Sequence, residues 1–411
     1  MRVLFTTTPG TGHFHPLVPT AQALQRAGHE VAFAAAGSFH AQVEASGFPV
    51  FPAGVDFESL AQELKSHVQA PPRMEVPAGL DRVLELFVDR LARPMARALV
   101  PLCRRWRPDL LISESAEFAG PVVAERLGLP HATIQVGGVG FSDDGGTGLF
   151  ARRLDGLRAE HGLPADPGLR ALYRYLHLSF MPAAYFGGSL PPNTQYLRLE
   201  VFDQSGEERL PDWMASLGDR PVIYATLGTV FNKLTHHLRT IIEALRDEPV
   251  DLIVTVGRDM DPARLGPQPS NVYVERYIPQ SLVLPRCELA ILHGGYNSVM
   301  SALHVGLPVL IVPLAADQPV NAQSCERLGV GRRVNPDTLT PELLRQQVRE
   351  MMRDGAYRER ARRFQAETQA LPGMAEGVAM LERLSRERRP SQRSLTMSEK
   401  EKALAGPVAR G

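Results

Sequence analysis

Leu289-Ala290-Ile291-Leu292-His293-Gly294-Gly295-Tyr296-Asn297-Ser298 is the stretch that decides how the rest of this chain is read. Four apolar residues without alternation suit a strand buried on both faces, as in a parallel sheet. The paired glycines that follow let the backbone approach a ligand closely. A helical pattern then begins near Asn297. A helix start offers unpaired N–H groups and the positive end of the helix dipole. Strand, glycine turn and helix start together suit a diphosphate. The same residues also read as a plain helix cap, and physics alone favours neither reading. No Gly-Lys-Ser/Thr follows, which argues against a P-loop ATPase.

Outward from this turn the same rhythm recurs. Val222–Thr226, Leu252–Thr255 and Val309–Val312 read as strands, with a helix over about 234–246 and helical patterns at 319–328, 340–353 and 355–387. Upstream, Val3–Thr6, Val31–Ala34, Val50-Phe51, Asp109–Ile112 and Ala132–Ile134 read as strands. Between them lie a helix through Leu17, Ala21 and Leu24, a long helical pattern from Val83 to Trp106 with Pro94 and Pro101 as candidate bends, and a helix over Phe118–Leu127. Strands alternating with helices predict parallel sheets with crossover helices. The expected fold is therefore α/β, with two Rossmann-like doubly wound domains facing across a cleft. The expected boundaries are 1–202, a linker at 203–220, 221–372, a helix at 373–389 returning to the first domain, and a disordered tail at 390–411.

Composition bounds what this chain does. At 411 residues it has room for two or three domains. Hydrophobic residues at 44 % and charged residues at 22 % are ordinary globular values, which sets aside disorder and coiled coil. Lys+Arg and Asp+Glu are 45 each, so no net field draws the chain to nucleic acid or an anionic membrane. Cys103, Cys287 and Cys325 are odd in number and widely spaced, which fits neither a disulfide framework nor a zinc site. With no signal-peptide pattern and no long apolar run, the expectation is a cytoplasmic protein with no membrane span.

Two further loops fall at strand carboxyl ends, where ligands bind in doubly wound sheets. One is Leu227-Gly228-Thr229. The other runs from Pro9 through Gly10-Thr11-Gly12-His13-Phe14-His15-Pro16. A neutral His at the end of the first strand suits a general base. His13 is the candidate and His15 its local competitor; a capping or core His is the plain alternative. Glu114 lies just after the strand at 109–112. If the two strands are neighbours it can orient His13 and stabilise its imidazolium. As a lone loop carboxylate it would do neither. Asp259-Met260-Asp261 spells a metal–diphosphate pattern, but a charged loop produces it by chance and it reads as solvent-exposed.

Taken together, these motifs resemble the family 1 glycosyltransferases of the GT-B fold, and in particular the bacterial enzymes that glycosylate macrolides, enediynes and other natural products. The resemblance covers about residues 1–390. Gly12-His13-Phe14-His15-Pro16 matches the family's Gly-His-x-x-Pro motif, whose His is the catalytic base. Tyr277-Ile278-Pro279-Gln280, His293-Gly294-Gly295-Tyr296-Asn297-Ser298 and Asp317-Gln318 look like its donor-sugar signature, in order. The resemblance implies that Tyr277 stacks on the nucleobase with the Ile278 backbone and Gln280 beside it. It implies that Gly228, Thr229, His293, Gly294, Gly295, Asn297 and Ser298 surround the diphosphate. Asp317 and Gln318 are expected to bind sugar hydroxyls. Glu114 stands where the family has an orienting Asp.

The implied activity is inverting, metal-independent transfer of a sugar from a nucleotide diphosphate sugar to a hydroxyl of a small hydrophobic acceptor, with no cofactor beyond that co-substrate. Plant members carry a ribose-binding Glu where this chain has Ser301, which favours dTDP over UDP. Candidate acceptor walls are residues 54–90, 137–150 and 171–186, the last with Tyr173, Tyr175, Phe180, Met181 and Phe186; ordinary core packing explains that stretch equally well. A sugar-nucleotide epimerase and a non-catalytic activator of another transferase are the rival readings, and pairing into a homodimer is left open.

Overall fold

The computed structural model describes residues 1–56, 81–137, 146–187, 190–203, 208–228, 235–258 and 260–389. Two wholly parallel sheets organise it. The first contains β1 (Arg2–Thr6), β2 (Glu30–Ala35), β3 (Val50–Pro52), β4 (Leu110–Glu114), β5 (His131–Ile134), β6 (Leu176–Ser179) and β7 (Thr194–Tyr196) in the order β3-β2-β1-β4-β5-β6-β7. The second contains β8 (Val222–Thr226), β9 (Asp251–Thr255), β10 (Val272–Glu275), β11 (Leu289–Leu292), β12 (Val309–Ile311) and β13 (Gly331–Arg333) in the order β10-β9-β8-β11-β12-β13. Strand order reverses between β1 and β4 in one sheet and between β8 and β11 in the other. Crevices for ligands open at such reversals. The central strands are buried along their length because crossover helices cover both faces.

Of the outer strands β3 matches the Val50-Phe51 reading, whereas β6, β7 and β13 are not apparent in the apolar pattern. β6 (Leu-His-Leu-Ser), β7 (Thr-Gln-Tyr) and β13 (Gly-Arg-Arg) carry polar or charged residues, so no apolar run announces them. Pairing in the sheet makes them strands: β6 lies between β5 and β7, and β7 and β13 each pair with one neighbour. Much of the stretch at 171–186 is accordingly core and strand. Phe180, Met181 and Tyr185 are buried, with Tyr175 and Phe186 packed against the same core.

Two helical expectations are refined. The run from Glu85 to Ala92 winds as wide π-helical turns and passes into an α-helix at Arg93–Trp106. Pro94 sits in the first turn of that α-helix, where a missing N–H costs least. The pattern over 355–387 is two helices, Gly355–Gln369 and Met374–Glu387. Pro372-Gly373 lies between them and cannot continue the first. The Met374–Glu387 helix returns to the first sheet. Its Met374, Val378, Leu381 and Leu384 join a core that also holds Val3, Phe5 and Leu24, and Glu382 Oε1 lies 2.9 Å from His29 Nε2.

That same core continues through Tyr224, Ala290, Leu292 and Tyr296 of the second sheet. The described part of the linker packs too: the Trp213 ring stacks on Tyr273 at 4.3 Å and its Nε1 donates to Glu275 at 2.8 Å. All three cysteines are free and buried. Among the described residues no helix is long and apolar enough to cross a membrane. The expected tail at 390–411 lies outside the described residues.

Candidate active site

β1 and β4 pair with Thr6 opposite Ser113, which sets the residues beyond their carboxyl ends side by side. His13 follows β1 by one loop, and Glu114 is the last residue of β4. His13 Nδ1 lies 3.0 Å from Glu114 Oε1. Glu114 is fully buried and saturated with donors. Thr8 Oγ1 donates to it at 2.8 Å, the Thr8 N–H at 3.4 Å, and the Ala116 N–H closes on its other oxygen. Burial works against ionised Glu114, but His13 and these donors win and its pKa falls below the usual carboxylate value. Burial also works against the His13 imidazolium. The Glu114 charge and hydrogen bond, helped by Asp317, overcome it and raise the His13 pKa. The His13 side chain stays 31 % exposed, so its second nitrogen can meet a substrate.

His15 is set apart from His13 by its surroundings. Burial, with the Arg258 charge nearby, pushes its pKa down to about 4. Its Nε2 meets Gln42 Nε2 at 3.2 Å, and its ring sits edge-on to Phe202. It is a neutral packing residue. Beside His13 an apolar crevice is lined by Phe87, Leu91, Met95 and Phe118, with Thr8 and Glu117 as its polar edge. The Phe87 ring centroid is 6.1 Å from that of His13. Most of the other expected acceptor walls, residues 57–80 and 138–145, lie outside the described residues.

The second sheet supplies the facing wall. β11 ends in the glycine turn, and a nine-residue helix runs from Tyr296 to His304 with Gly295 as N-cap and no side-chain cap. The glycines are required by packing. A Cβ on Gly228 would stand 2.7 Å from His293 Nε2, and one on Gly295 would be 2.5 Å from the same atom. Gly294 has φ +91°, and its Cβ would meet Ile311 Cγ2 at 2.7 Å. His293 is wedged among these backbones, and burial lowers its pKa to about 4, so it is neutral. Asn297 Nδ2 donates across the cleft to the Gly12 carbonyl at 3.0 Å, joining the helix start to the His13 loop. Gln280 Nε2 donates to Ser298 Oγ at 3.1 Å. Thr229 lies outside the described residues.

The Tyr277 hydroxyl donates to the Asp203 carbonyl, and the Asp203 carboxylate accepts from the Ser281 N–H and Oγ at 2.8 and 2.7 Å. The Arg258 guanidinium covers the Tyr277 ring at 3.9 Å from its centroid. Ile278 is buried in the core, which leaves only its backbone to a ligand. Asp317 follows Ala316, a non-glycine residue at φ +56°. Asp317 Oδ2 accepts from Asn321 Nδ2 at 2.8 Å and stands 3.2 Å from where a Cβ on Gly137 would lie. Gln318 is buried, and its Oε1 accepts from the Leu314 and Ala315 N–H groups at 2.7 and 2.9 Å, which anchors the loop.

Several residues at this site escaped the sequence reading. Thr8 anchors Glu114. Glu117 is buried and accepts from Ala119 and Gly120 N–H at 2.7 and 2.9 Å, capping the Ala119–Leu127 helix. Asn321 is fully buried between the two halves. Thr8 meets Glu114, and Asn321 meets Tyr185 and Gly294, across long stretches of chain, so no local spacing announces those two. Ser301 is buried on its helix. Asp261 of the Asp-x-Asp pattern is exposed and caps its own turn through Ala263; Asp259 lies outside the described residues. Among the described residues no group of three or more His, Cys, Asp or Glu is placed to hold a metal ion.

Comparison with known proteins places this geometry. Models of the erythromycin biosynthesis protein CIII-like C-terminal and N-terminal domains match residues 239–384 and 22–144. The 4'-demethylrebeccamycin synthase of Lentzea aerocolonigenes is 28 % identical over 425 residues, covering 93 % of this chain and 99 % of its own. The 3-alpha-mycarosylerythronolide B desosaminyl transferase of Saccharopolyspora erythraea is 27 % identical over 420 residues, covering 95 % and 99 %. The crystal structure of the glycosyltransferase VinC in complex with dTDP is similar at TM-score 0.76 and 26 % identity, over 94 % of this chain and all of that one.

Proposed function

Because the chain belongs to the erythromycin biosynthesis protein CIII-like family of natural-product glycosyltransferases, we propose that it transfers a sugar from a dTDP-sugar to a hydroxyl of a hydrophobic acceptor, with inversion and without a metal ion. The observation that carries this reading is the 3.0 Å contact between His13 and the saturated, buried Glu114, opposite an uncapped helix start.

His13 takes the proton of the acceptor hydroxyl as that oxygen attacks the anomeric carbon. Glu114 stabilises the imidazolium that forms and stays ionised itself. The bond from the anomeric carbon to the diphosphate breaks on the opposite side, so an α-linked donor gives a β-linked product. The departing diphosphate carries its growing charge toward the helix start at Tyr296–Ser298. N–H groups and the helix dipole there stabilise anions without reorganising. Attack from the His13 side and departure toward the other domain require both reactants in line, and the cleft between the two sheets supplies that alignment. Phe87 beside His13, with Leu91, Met95 and Phe118 behind it, gives the acceptor side of the cleft an apolar surface. Preference for dTDP rests on Ser301, which offers no carboxylate to a ribose 2′-hydroxyl.

A panel of dTDP- and UDP-sugars against polyketide and aromatic acceptors, read by mass spectrometry, tests the substrate class. His13→Ala is expected to abolish transfer while dTDP affinity stays within about threefold of wild type. Near wild-type transfer by that variant refutes the base assignment. A large loss of activity in EDTA refutes metal independence.

A further inference from the structure

We infer that Asn321 is a positioning residue, which sets the phosphate-loop peptide and the Asp317 carboxylate together and ties both to the first domain through Tyr185. The inference rests on the donor-site reading above. Asn321 lies on the Gln318–Leu328 helix and is fully buried. Its Nδ2 has two protons and both are used. One goes to the Gly294 carbonyl at 2.9 Å and the other to Asp317 Oδ2 at 2.8 Å. Its Oδ1 accepts from the Tyr185 hydroxyl at 3.0 Å. A carbonyl and an ionised carboxylate can only accept, and this sets which way the amide points.

Each bond has a geometric consequence. A trans peptide points its C=O and its N–H in opposite directions. Holding the Gly294 carbonyl inward therefore aims the Gly295 N–H the other way, at the start of the Tyr296–His304 helix. Gly294 at φ +91° allows that peptide orientation. The bond to Asp317 Oδ2 sets the rotation of the carboxylate assigned to sugar hydroxyls. Asp317 is the N-cap of the Asn321 helix, at φ −80° and ψ −3°, so Asn321 stands one turn along the same helix and reaches back to hold its carboxylate.

Tyr185 makes this a link between domains. It belongs to the turn Ala183–Phe186 of the first domain and is fully buried. Arg327, two turns along the Asn321 helix, donates to the Ala184 and Tyr185 carbonyls at 2.7 and 2.6 Å. The Tyr185 ring packs edge-on to Tyr296 at the helix start, with centroids 6.0 Å apart. The turn is thus seated against the donor site by the two Arg327 bonds to its carbonyls, the Tyr185–Asn321 bond, and ring contacts of both Tyr185 and Phe186 with Tyr296. Buried amides with every group satisfied act as rigid joints, because any rotation strands a polar group out of water.

The test uses the full chain with dTDP and dTDP-glucose as probes. Calorimetry gives both affinities, and their ratio reads what the sugar adds to binding. Asn321→Asp keeps the acceptor for Tyr185 but removes both donors and sets a carboxylate beside Asp317. The expected result at pH 8 is a fall of about tenfold in that ratio. Partial recovery near pH 5.5 is expected, because a shared proton between the two carboxylates again supplies one donor. Tyr185→Phe keeps the ring and removes only the hydroxyl, and is expected to lower the ratio about threefold. It serves alone if Asn321→Asp does not fold. A merely structural role lowers the melting temperature and leaves the ratio and its pH dependence unchanged; that result in folded variants overturns the inference. If the wild-type chain binds neither dTDP nor dTDP-glucose, the donor reading fails, and the assignment of Asn321 falls with it.

Discussion

Glu114→Gln isolates the charge of the candidate dyad while preserving its shape. The carboxylate accepts on both sides: Oε1 from His13 and Thr8, Oε2 from the Ala116 N–H. An amide keeps one acceptor. With its carbonyl toward His13, its NH2 faces the Ala116 N–H, and two donors confront each other in a buried site. Leaving that N–H unpaired costs about 1–3 kcal/mol of stability, so folding must be checked by urea denaturation first. The catalytic loss is larger than the lost hydrogen bond, because the imidazolium of the transition state loses its counter-charge. Two unit charges about 4 Å apart at an effective dielectric of about 20 attract by about 4 kcal/mol. His13 is 31 % exposed, so solvent screens part of this and about 2–3 kcal/mol remains. That corresponds to a fall of about 30- to 150-fold in kcat/KM.

The pH profile sharpens this test. His13 must be neutral to accept a proton. In the wild type its pKa is raised, so activity falls as pH drops through that raised value. In Glu114→Gln burial still disfavours the imidazolium, and the charge that overcame burial is gone. The acid limb therefore moves to lower pH, and the deficit relative to wild type shrinks as pH falls. The assay is dTDP release from the donor, with acceptor or with water, from about pH 5 to pH 9. An unchanged acid limb, or a folded variant within about threefold of wild type at high pH, refutes the charge argument.

Thr8→Val removes the hydroxyl that holds Glu114 Oε1 at 2.8 Å; kcat is expected to fall about three- to tenfold, and Thr8→Ser to restore it in the same assay. Gly294→Ala meets Ile311 at 2.7 Å in a left-handed conformation, so calorimetry should find dTDP affinity reduced at least about tenfold in a protein that still folds. Gly120→Ala puts a Cβ 2.8 Å from Glu117 Oε2 and 2.9 Å from Thr6 Oγ1, and a loss of about 1–3 kcal/mol should appear in its urea midpoint. Arg258→Ala uncovers the Tyr277 ring that a nucleobase must otherwise take from the guanidinium. A gain of about two- to fivefold in dTDP affinity is expected, and weaker binding would instead make Arg258 a donor ligand.

The central strands and the glycine turns were legible from local pattern. β1, β4, β8 and β11 are short apolar runs, those of β1, β8 and β11 lead into glycine-bearing loops, and such runs are buried wherever helices cover both faces. The outer strands β6, β7 and β13 were not, because their residues are polar and only a neighbouring strand makes them extended. His13 could be singled out from its place after β1, and Glu114 only conditionally.

The sequence by itself determined the α/β class, the two wound halves, and the residues that stand at the carboxyl ends of the central strands. These follow from local composition, since apolar periodicity and glycine placement act over a few residues. Tertiary structure alone decided that Glu114 reaches His13, because that contact needs β1 and β4 to be neighbours across about a hundred residues of chain. It also decided the parts played by Thr8 and Asn321. Each is an unremarkable polar residue in the sequence, and its role comes from burial beside partners that only the folded chain assembles, where every donor and acceptor must be matched.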